Sequence, residues 1–373
     1  MLRFLTGGES HGDALVGILE GIPANLYLEK SYVNKELNRR QKGYGRSDRM
    51  AIEKDEVIIL SGINKDYTTG NPISIMIKNK GKNIQLVEIT RPRPGHADLA
   101  GALKYNQVGA RNILERASAR ETAMRVAIGS ICKIFLNEFN ISIFSHVVQI
   151  GQVKSNKNYY TNLNLEELKN VDKSSIRVVD RDAEKSMIDA IYEAKEQGDT
   201  IGGIIEIIGV NIPVGLGSHV HWDRKLDAKI AYSMMSIPGI KGVEFGLGFD
   251  GVIKLGSQFH DSISHDEEYY RTSNNAGGIE GGISNGEDIV LRLVMKPIPT
   301  LKKPLQTVDM ESKEKVTAQF ERSDICAVPS ASIVAEAMLA YVLANEMLIK
   351  FGGDSMEEIK NNYISYMNIL KNR

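Results

Sequence analysis

Two short stretches of this sequence each combine a histidine with an acidic residue and glycine. The first, GGESHG at residues 7–12, fits the serine-hydrolase pattern G-x-S-x-G in its last five letters. A nucleophile elbow needs a strand-to-helix turn over an established sheet, whereas only one short strand is predicted before Ser10. Two other interpretations stay open. The stretch is either a plain glycine turn, or a place where backbone approaches a ligand and His11 transfers a proton.

The second stretch is RPRPGHAD at residues 91–98. Two prolines and a glycine hold such a segment in a fixed, non-helical course. It therefore presents Arg93, His96 and Asp98 from a rigid loop. A histidine with a purely structural role is the alternative interpretation.

A cluster of arginines lies between these two stretches in the sequence. Residues 39–49 (RRQKGYGRSDR) hold Arg39, Arg40, Arg46 and Arg49. Because guanidinium forks match carboxylate and phosphate groups, this segment is predicted to close on an anion. A solvated basic loop is the alternative.

The strongest helical pattern covers residues 109–138. Its apolar stripe at helical spacing consists of Ile113, Ala117, Met124, Ile128, Ile131 and Phe135. Arg120 falls inside this stripe, and a buried guanidinium is costly unless it is paired. Its partner is predicted to be either Glu115 or Glu121, or else an anionic ligand.

Two glycine-rich segments differ in what they indicate. Residues 246–251 match G-x-G-x-x-G literally, but a strand rather than a helix is predicted to follow, which excludes a dinucleotide fingerprint. Residues 274–286 (NNAGGIEGGISNG) suit either a flexible loop or a backbone nest for a phosphate or a flat ring.

The C-terminal third adds further polar residues. Residues 296–300 (KPIPT) place a lysine in a rigid turn after a strand, and Arg322 and Asp324 stand two apart before a helix. His219 and His221 have no partner set at metal-ligand spacing, so no metal site is expected.

The elements that must position these residues are mixed in type. Strands are predicted at 1–6, 56–61, 72–78, 142–150, 175–180, 200–209 and 286–297. Helices are predicted at 31–40, 109–138, 183–197, 224–236 and 329–350, with a terminal helix opened by the capping box Ser355-x-x-Glu358. Residues 13–23 are interpreted as a weak helix broken by glycine and proline. This order predicts an α+β fold rather than a doubly wound sheet.

Composition narrows the class of protein further. A formal net charge of −1 over 373 residues gives no overall field for nucleic acid or an anionic membrane. Cys132 and Cys326 form no C-x-x-C pair, and no signal peptide or uninterrupted membrane-length apolar run is expected. A cytoplasmic protein without nucleic-acid or membrane partners is predicted.

Taken together, the motifs resemble the chorismate synthase family, monofunctional and of bacterial type, along nearly the whole chain. The stretches that carry the resemblance, in order, are GESHG, RRQKGYGR, TTGNPI, RPRPGHADLAGALKY, LERASARET, MSIPGIKGVEFG, NNAGGIEGGISNG, KPIPT and RSDICAVP.

The resemblance implies a fold and a reaction. The family fold is a β-α-β-α sandwich in which helices pack between antiparallel sheets, here as one catalytic domain over residues 1–373. The reaction is an anti-1,4-elimination of phosphate from 5-enolpyruvylshikimate 3-phosphate that yields chorismate, the last step of the shikimate pathway. It requires reduced FMN without net redox change. The family is usually homotetrameric, and a chain without the fungal insertion needs a separate flavin reductase.

The resemblance also implies roles for individual residues. His11 would protonate the departing phosphate, and His96 would protonate or stabilise the reduced flavin near N1. Asp324, with Ser10, would relay the proton collected at flavin N5, so Ser10 is a hydrogen-bonding partner and not a nucleophile. Substrate would meet Arg40, Arg46, Arg49, Arg93, Ser118 and Arg120. The flavin would meet Arg116, Ala117, Ser118, Pro238, Gly239, Gly281, Lys296, Pro297, Ile298, Pro299, Thr300 and Arg322.

Three rival functions make different predictions. A G-x-S-x-G hydrolase would use Ser10 as a nucleophile and need no flavin. A binding protein would hold FMN or a phosphorylated metabolite without catalysis. A flavin oxidoreductase would consume reductant stoichiometrically.

Overall fold

The computed structural model describes residues 1–46, 54–80, 87–161, 163–321 and 323–372. Its strands are β1 (Arg3–Gly7), β2 (Ala14–Glu20), β3 (Val57–Ile59), β4 (Ile63–Asn64), β5 (Tyr67–Thr68), β6 (Ile73–Lys78), β7 (Ser142–Ile150), β8 (Val153–Lys154), β9 (Gly203–Val210), β10 (Ile240–Phe245), β11 (Ile263–Asp266), β12 (Glu268–Arg271), β13 (Ile279–Glu280), β14 (Ile283–Ser284), β15 (Ile289–Met295), β16 (Gln306–Val308) and β17 (Lys315–Thr317). Its helices are α1 (Lys30–Gln41), α2 (Asp98–Lys104), α3 (Arg111–Ala117), α4 (Thr122–Asn137), α5 (Leu165–Lys169), α6 (Arg181–Glu196), α7 (Leu226–Met235), α8 (Gly256–Phe259), α9 (Val328–Phe351) and α10 (Met356–Lys371).

Two antiparallel sheets organise these elements. The first has the order β1-β2-β6-β3, and the second has the order β10-β15-β9-β7-β8. Four two-stranded ribbons (β4-β5, β11-β12, β13-β14 and β16-β17) extend from them. Sequential strands that pair antiparallel and helices gathered in layers are the mark of an α+β fold, as predicted.

The layer between the two sheets consists of helices. Helix α4 packs on β2 of the first sheet, and α9 packs on α4 and on β7 and β9 of the second sheet. A Cβ at Gly129 would lie 2.4 Å from the Cβ of Ala337, so only glycine lets α4 and α9 approach this closely. The prediction of helices packed between antiparallel sheets is confirmed.

A second helical layer covers the outer face of the five-stranded sheet. Leu168 of α5 and Val171 pack there against Ile208 and Val210 of β9. The layers therefore run β-α-β-α from one side of the molecule to the other.

Helix α9 is the most buried helix. By length and composition it could cross a membrane, and it is the one such helix in the described part of the chain. In the fold, 83% of its most apolar window is buried, so it serves as the core helix of the sandwich.

Three predicted elements differ from the structure. The interpretation of residues 13–23 as a weak helix is wrong, because Ala14–Glu20 is strand β2. Leu15 and Leu19 are buried on one face while Val16 and Ile18 are exposed on the other. This alternation has the period of a strand, and pairing on both sides with β1 and β6 overrides local helix propensity.

The predicted helix at 109–138 is broken in the middle. Helix α3 ends at Ala117, Ser118 adopts an extended conformation, and a single 3-10 turn (Ala119–Glu121) leads into α4. The Ser118 hydroxyl accepts a hydrogen bond from the amide of Arg120 and so caps the 3-10 turn. Arg120 therefore leaves the apolar stripe and belongs to a turn.

The strand predicted at 175–180 is also wrong. Arg177 has a positive φ of 58°, and the Asp180 side chain caps α6 by accepting from the amides of Asp182 and Ala183. The buried Arg177 guanidinium bonds Glu336 of α9 and the carbonyl of Ser145. These demands on backbone and side chain are incompatible with a continuous strand.

Candidate active site

A cavity of about 520 Å³ opens where the helical layer meets the ends of both sheets. The predicted site residues that line it are Ser10, His11, Arg40, Arg46, Arg93, His96, Ala117, Ser118, Arg120, Pro238, Gly239, Lys296, Pro297, Ile298, Pro299, Thr300 and Asp324. Residues as far apart in the chain as Ser10 and Asp324 thus meet at one concave site, as expected of a ligand pocket.

The GESHG stretch forms the turn between β1 and β2. Gly8 has φ of +102°, and a Cβ there would lie 2.3 Å from the carbonyl oxygen of Ala14, so the turn requires glycine. The buried Asn79 side chain fastens the turn by donating to the carbonyls of Glu9 at 3.1 Å and Gly12 at 2.8 Å. The turn is a positioned element rather than a loose connection.

Glu115, near the end of α3, holds this turn from beneath. Its Oε2 accepts from the Ser10 hydroxyl at 2.5 Å and from the His11 amide at 2.9 Å. Its Oε1 lies 3.0 Å from His11 Nδ1. Burial raises the pKa of Glu115, but the hydrogen bonds from His11 and Ser10 outweigh it and bring the pKa down to about 2.

This geometry differs from a hydrolytic triad. In a triad the serine hydroxyl gives its proton to the histidine, and the acid holds the far nitrogen of the ring. Here Ser10 and His11 both contact the same carboxylate, and Ser10 Oγ lies 3.3 Å from Nδ1, the nitrogen already on Glu115. The arrangement does not activate Ser10 as a nucleophile.

The second histidine is held within its own loop. His96 Nδ1 lies 2.5 Å from Oδ1 of Asp98, the first residue of α2, and Asp98 is fully buried. Arg93 donates to both Asp98 oxygens, from Nε at 2.8 Å and from Nη2 at 3.1 Å. Burial raises the pKa of Asp98, but the bonds from His96 and Arg93 hold it well below its ordinary value.

Arg93 is fully engaged in this loop. Its Nη1 donates to the Thr300 hydroxyl at 2.8 Å, and only 7% of its side chain is exposed. Arg93 therefore lines the cavity while its guanidinium orients Asp98.

Three arginines form the cationic wall of the cavity: Arg40, Arg46 and Arg120. Arg120 donates to Asn79 Oδ1 at 3.0 Å and to Asp55 Oδ2 at 2.7 Å. Arg40 donates to Thr122 and to the carbonyl of Ala119, each at 3.0 Å.

Arg40 carries the clearest sign of a ligand. Its Nη1 is buried, lies 3.7 Å from Asp55 and has no hydrogen-bond partner among the described residues. Burial, followed by the nearby Arg46, lowers the pKa of Arg40 to about 9. An orphaned buried donor in a cationic cluster calls for an anion at this wall.

The loop before α9 joins this wall. Asp324 lies 3.0 Å from Arg46, and Ser323 donates to the carbonyl of Thr300. The contact between Asp324 and Arg46 brings a carboxylate next to an arginine in the cavity lining.

Another part of the cavity lining forms a mostly apolar wall. It consists of Leu114, Ala117, Pro238, Met295, Pro297, Ile298 and Pro299. The turn after β15 is held at two points, since Thr200 donates to the Ile298 carbonyl at 2.7 Å and Lys296 donates to the Gly95 carbonyl. Burial and the neighbouring Lys241 hold the pKa of Lys296 below its ordinary value.

Four predicted site residues stand apart from this group. Arg116 is not among the residues that line the cavity; it donates to the carbonyls of Thr6 and Gly8 at the end of β1. Gly281 lies in the turn between β13 and β14, beside His219, and does not line the cavity either. Arg49 and Arg322 lie outside the described residues.

The structure also corrects the partners proposed for Arg120. Glu121 pairs with Arg125 at 2.9 Å and Glu115 with His11, so neither neutralises Arg120. The partners are Asp55 and Asn79, which the sequence analysis did not single out. Their only sequence signal is that each lies at the edge of a strand of the first sheet.

The fold and the site define a protein whose cavity combines a cationic wall with two carboxylate-held histidines, an arrangement that suits a polyanionic ligand and proton transfer. The chorismate synthase family model matches residues 2–348. A chorismate synthase from Thermoanaerobacter pseudethanolicus is 53% identical over 100% of both chains, and one from Aquifex aeolicus is 52% identical over 99% of this chain and 98% of the relative. A chorismate synthase crystal structure covers 100% of this chain and 99% of its own, with a TM-score of 0.83 and 45% identity.

The chain therefore belongs to the chorismate synthase family, and it is an enzyme of the lyase class. The family implies a flavin cofactor. The cavity fits such a group, because its apolar wall suits a flat ring while the orphaned Arg40 nitrogen and its cationic neighbours suit phosphate and carboxylate groups.

Proposed function

We propose that this chain catalyses the anti-1,4-elimination of phosphate from 5-enolpyruvylshikimate 3-phosphate to give chorismate, the last step of the shikimate pathway. One observation carries the proposal: two carboxylate-held histidines line the same cavity as Arg40, which has a buried guanidinium nitrogen without a hydrogen-bond partner among the described residues. A substrate with one phosphate and two carboxylates supplies the negative charge that this wall requires.

The substrate is held by the cationic wall. Arg40 and Arg46 offer guanidinium nitrogens without described partners, and Arg120 and Ser118 lie beside them. Arg49 is proposed to join them. Arg93 is proposed to act on the substrate only indirectly, because its nitrogens are occupied by Asp98 and Thr300.

His11 is proposed to protonate the departing phosphate. Its Nδ1 lies on Glu115, so Nε2 is the nitrogen left to exchange a proton in the cavity. Protonating a leaving group in this way is worth about 10²–10⁴-fold in rate.

His96 is proposed to serve the cofactor. Asp98 orients its ring through Nδ1, and Nε2 is left to donate a proton or a hydrogen bond to the flavin near N1. Asp324, with Ser10, is proposed to relay the proton collected at flavin N5. The position of Asp324 in the cavity lining, in contact with Arg46, supports this role.

The cofactor is proposed to be reduced FMN. Bound in the cavity, it would supply electron density for breaking the carbon–oxygen bond and would regain it as the C6 hydrogen leaves, without net redox change. The residues proposed to hold it line the apolar wall and the turn after β15: Ala117, Ser118, Pro238, Gly239, Lys296, Pro297, Ile298, Pro299 and Thr300. Arg116, Gly281 and Arg322 remain predicted cofactor contacts.

The setting of the enzyme follows from the same proposal. We infer a cytoplasmic protein with one catalytic domain over residues 1–373, assembled as a homotetramer and supplied with reduced flavin by a separate reductase. The near-zero net charge and the buried position of α9 support a protein without nucleic-acid or membrane partners.

The decisive experiment measures phosphate release from 5-enolpyruvylshikimate 3-phosphate under anaerobic conditions. It compares dithionite-reduced FMN, oxidised FMN and no flavin, while absorbance follows chorismate. Turnover only with reduced FMN, many cycles per flavin and no net use of reductant is expected. Tight FMN binding without phosphate release would instead establish the binding protein, and stoichiometric loss of reductant would establish the oxidoreductase.

A further inference from the structure

Glu115 holds the turn that carries Ser10 and His11 through both its side chain and its backbone carbonyl. Its carboxylate meets the Ser10 hydroxyl, the His11 amide and His11 Nδ1, and its own carbonyl accepts from the Ser10 amide at 3.1 Å. Side chain and backbone of one residue thus fix two consecutive residues of the turn. Such a constellation sets both the position and the orientation of the imidazole.

The negative charge of Glu115 determines which ring nitrogen of His11 carries the proton when the imidazole is neutral. An ionised carboxylate only accepts hydrogen bonds, so the atom facing it must be a donor. Nδ1 is therefore the protonated nitrogen of a neutral His11, and Nε2 is the atom that gains and loses the second proton. Arg111 lies 3.4 Å from Glu115 and helps to keep this buried carboxylate ionised.

We propose that Glu115 is a positioning residue for the reaction: it fixes the Nδ1–H tautomer of His11 and supplies the counter-charge of the imidazolium, so that Nε2 donates the proton to the leaving phosphate. The proposal rests on the proposed function of His11 as the proton donor. Glu115 itself does not line the cavity, so it acts through His11.

Other charges act on the same imidazole. Arg111 lies behind Glu115 and also reaches Glu321 at 3.2 Å. The charged and titratable groups that share the cavity with His11 are Arg40, Arg46, Arg93, Arg120, His96, Lys296, Glu321 and Asp324. Most of these are cationic and disfavour an imidazolium, which makes Glu115 the carboxylate in direct contact that offsets them.

The test compares Glu115→Gln, Glu115→Asp and Arg111→Gln with wild-type enzyme loaded with reduced FMN. Glu206→Gln is the matched control, because Glu206 is another buried glutamate paired with a histidine, His146, but lies outside the cavity. Each variant is assayed for kcat and KM by phosphate release across pH, and for folding by thermal melting.

Glu115→Gln is expected to lower kcat by about 10²–10⁴-fold, the range for losing the carboxylate that sets a histidine tautomer, with little change in KM. The basic limb of its pH profile should move to lower pH, because the imidazolium loses its counter-charge. Glu115→Asp should recover most of the rate and the wild-type limb. Arg111→Gln should move the limb the opposite way, to higher pH. Glu206→Gln should leave the basic limb of the pH profile where it is in the wild-type enzyme.

A folded Glu115→Gln enzyme with the wild-type pH limb would overturn the proposal, as would equal losses in Glu115→Gln and Glu115→Asp with no shift of the limb. If the glutamine variant does not fold, the direction of the Arg111→Gln limb decides the matter, and an unchanged limb overturns the proposal. Wild-type enzyme that releases no phosphate would reject the proposed function instead.

Discussion

The two histidines of the cavity are held by carboxylates in different ways. His96 takes its partner from two residues along the chain, and Asp98, Arg93 and His96 form one loop that closes on Thr300. His11 takes its partner from 104 residues away, on a helix that reaches the turn only in the folded protein. Their side chains are similarly accessible, 19% for His11 and 15% for His96.

This difference teaches where each histidine is vulnerable. The His96 loop is rigid through its prolines and its own hydrogen bonds, so its geometry depends on few distant contacts. The His11 turn depends on α3 through Glu115 and on the residue after β6, Asn79, which in turn holds Arg120. Substitutions in several distant elements should therefore reach His11, whereas His96 should respond to changes in its loop.

The largest effects should come from removing either histidine. His11→Ala and His96→Ala are each expected to lower turnover by about 10²–10⁴-fold, because each removes a positioned proton-transfer group. Chorismate formation with reduced FMN measures both. His221→Ala, at an exposed histidine paired with Asp223, is the control and should stay within about twofold of wild type. Wild-type rates in either cavity variant would remove that histidine from the mechanism.

Arg120→Ala should produce the next largest effect and should act on the His11 side. It removes a guanidinium from the substrate wall and frees Asn79 and Asp55, so kcat/KM is expected to fall by about 10²-fold. Thermal melting should show the variant folded, and Arg3→Ala, at an exposed ion pair with Glu20, should behave as wild type. Near-normal activity would mean that Arg120 does not meet the substrate.

The fall of melting temperature at acid pH should depend on both carboxylates that hold the histidines, Glu115 and Asp98. Because the folded-state pKa of Glu115 is lowered from 4.5 to about 2, its contribution is present above pH about 4.5 and is lost as pH falls toward about 2. The folded-state pKa of Asp98 is also lowered, so its contribution to stability is lost only as the pH falls below the ordinary pKa range of an aspartate. Glu115→Gln and Asp98→Asn should each flatten the fall of melting temperature with acid, and parallel curves for wild type and variants would contradict this.

The smallest effect is expected at a third buried pair, His146–Glu206, which lies in the five-stranded sheet with both side chains fully buried. Glu206→Gln weakens a buried pair at a cost of about 1–3 kcal/mol, so melting should fall by a few degrees. Activity should remain within about twofold. A loss of activity comparable to that of the His11 variants would mean that buried histidine pairs act on the reaction through the fold as a whole.

Much of the site could be predicted from the sequence because its motifs are short. The sequence predicts a rigid loop that presents Arg93, His96 and Asp98, and the structure joins all three. For Glu115 the sequence suggests only a pairing with Arg120, whereas the structure pairs it with His11. The break at Ser118 was missed, because an alanine-rich stretch favours a helix and the capping bond from Arg120 is visible only in three dimensions.

Alone, the sequence determined the α+β class, six strands of the two sheets, the longer helices, and the residues of two chemically equipped turns, since periodicity and local hydrogen bonding act over a few residues. Only the tertiary structure decided that residues 14–20 form a strand, that Arg120 pairs with Asp55, and that Glu115 holds His11. Each of these depends on sheet pairing or on packing between segments far apart in the chain, and such contacts leave no local pattern in the sequence.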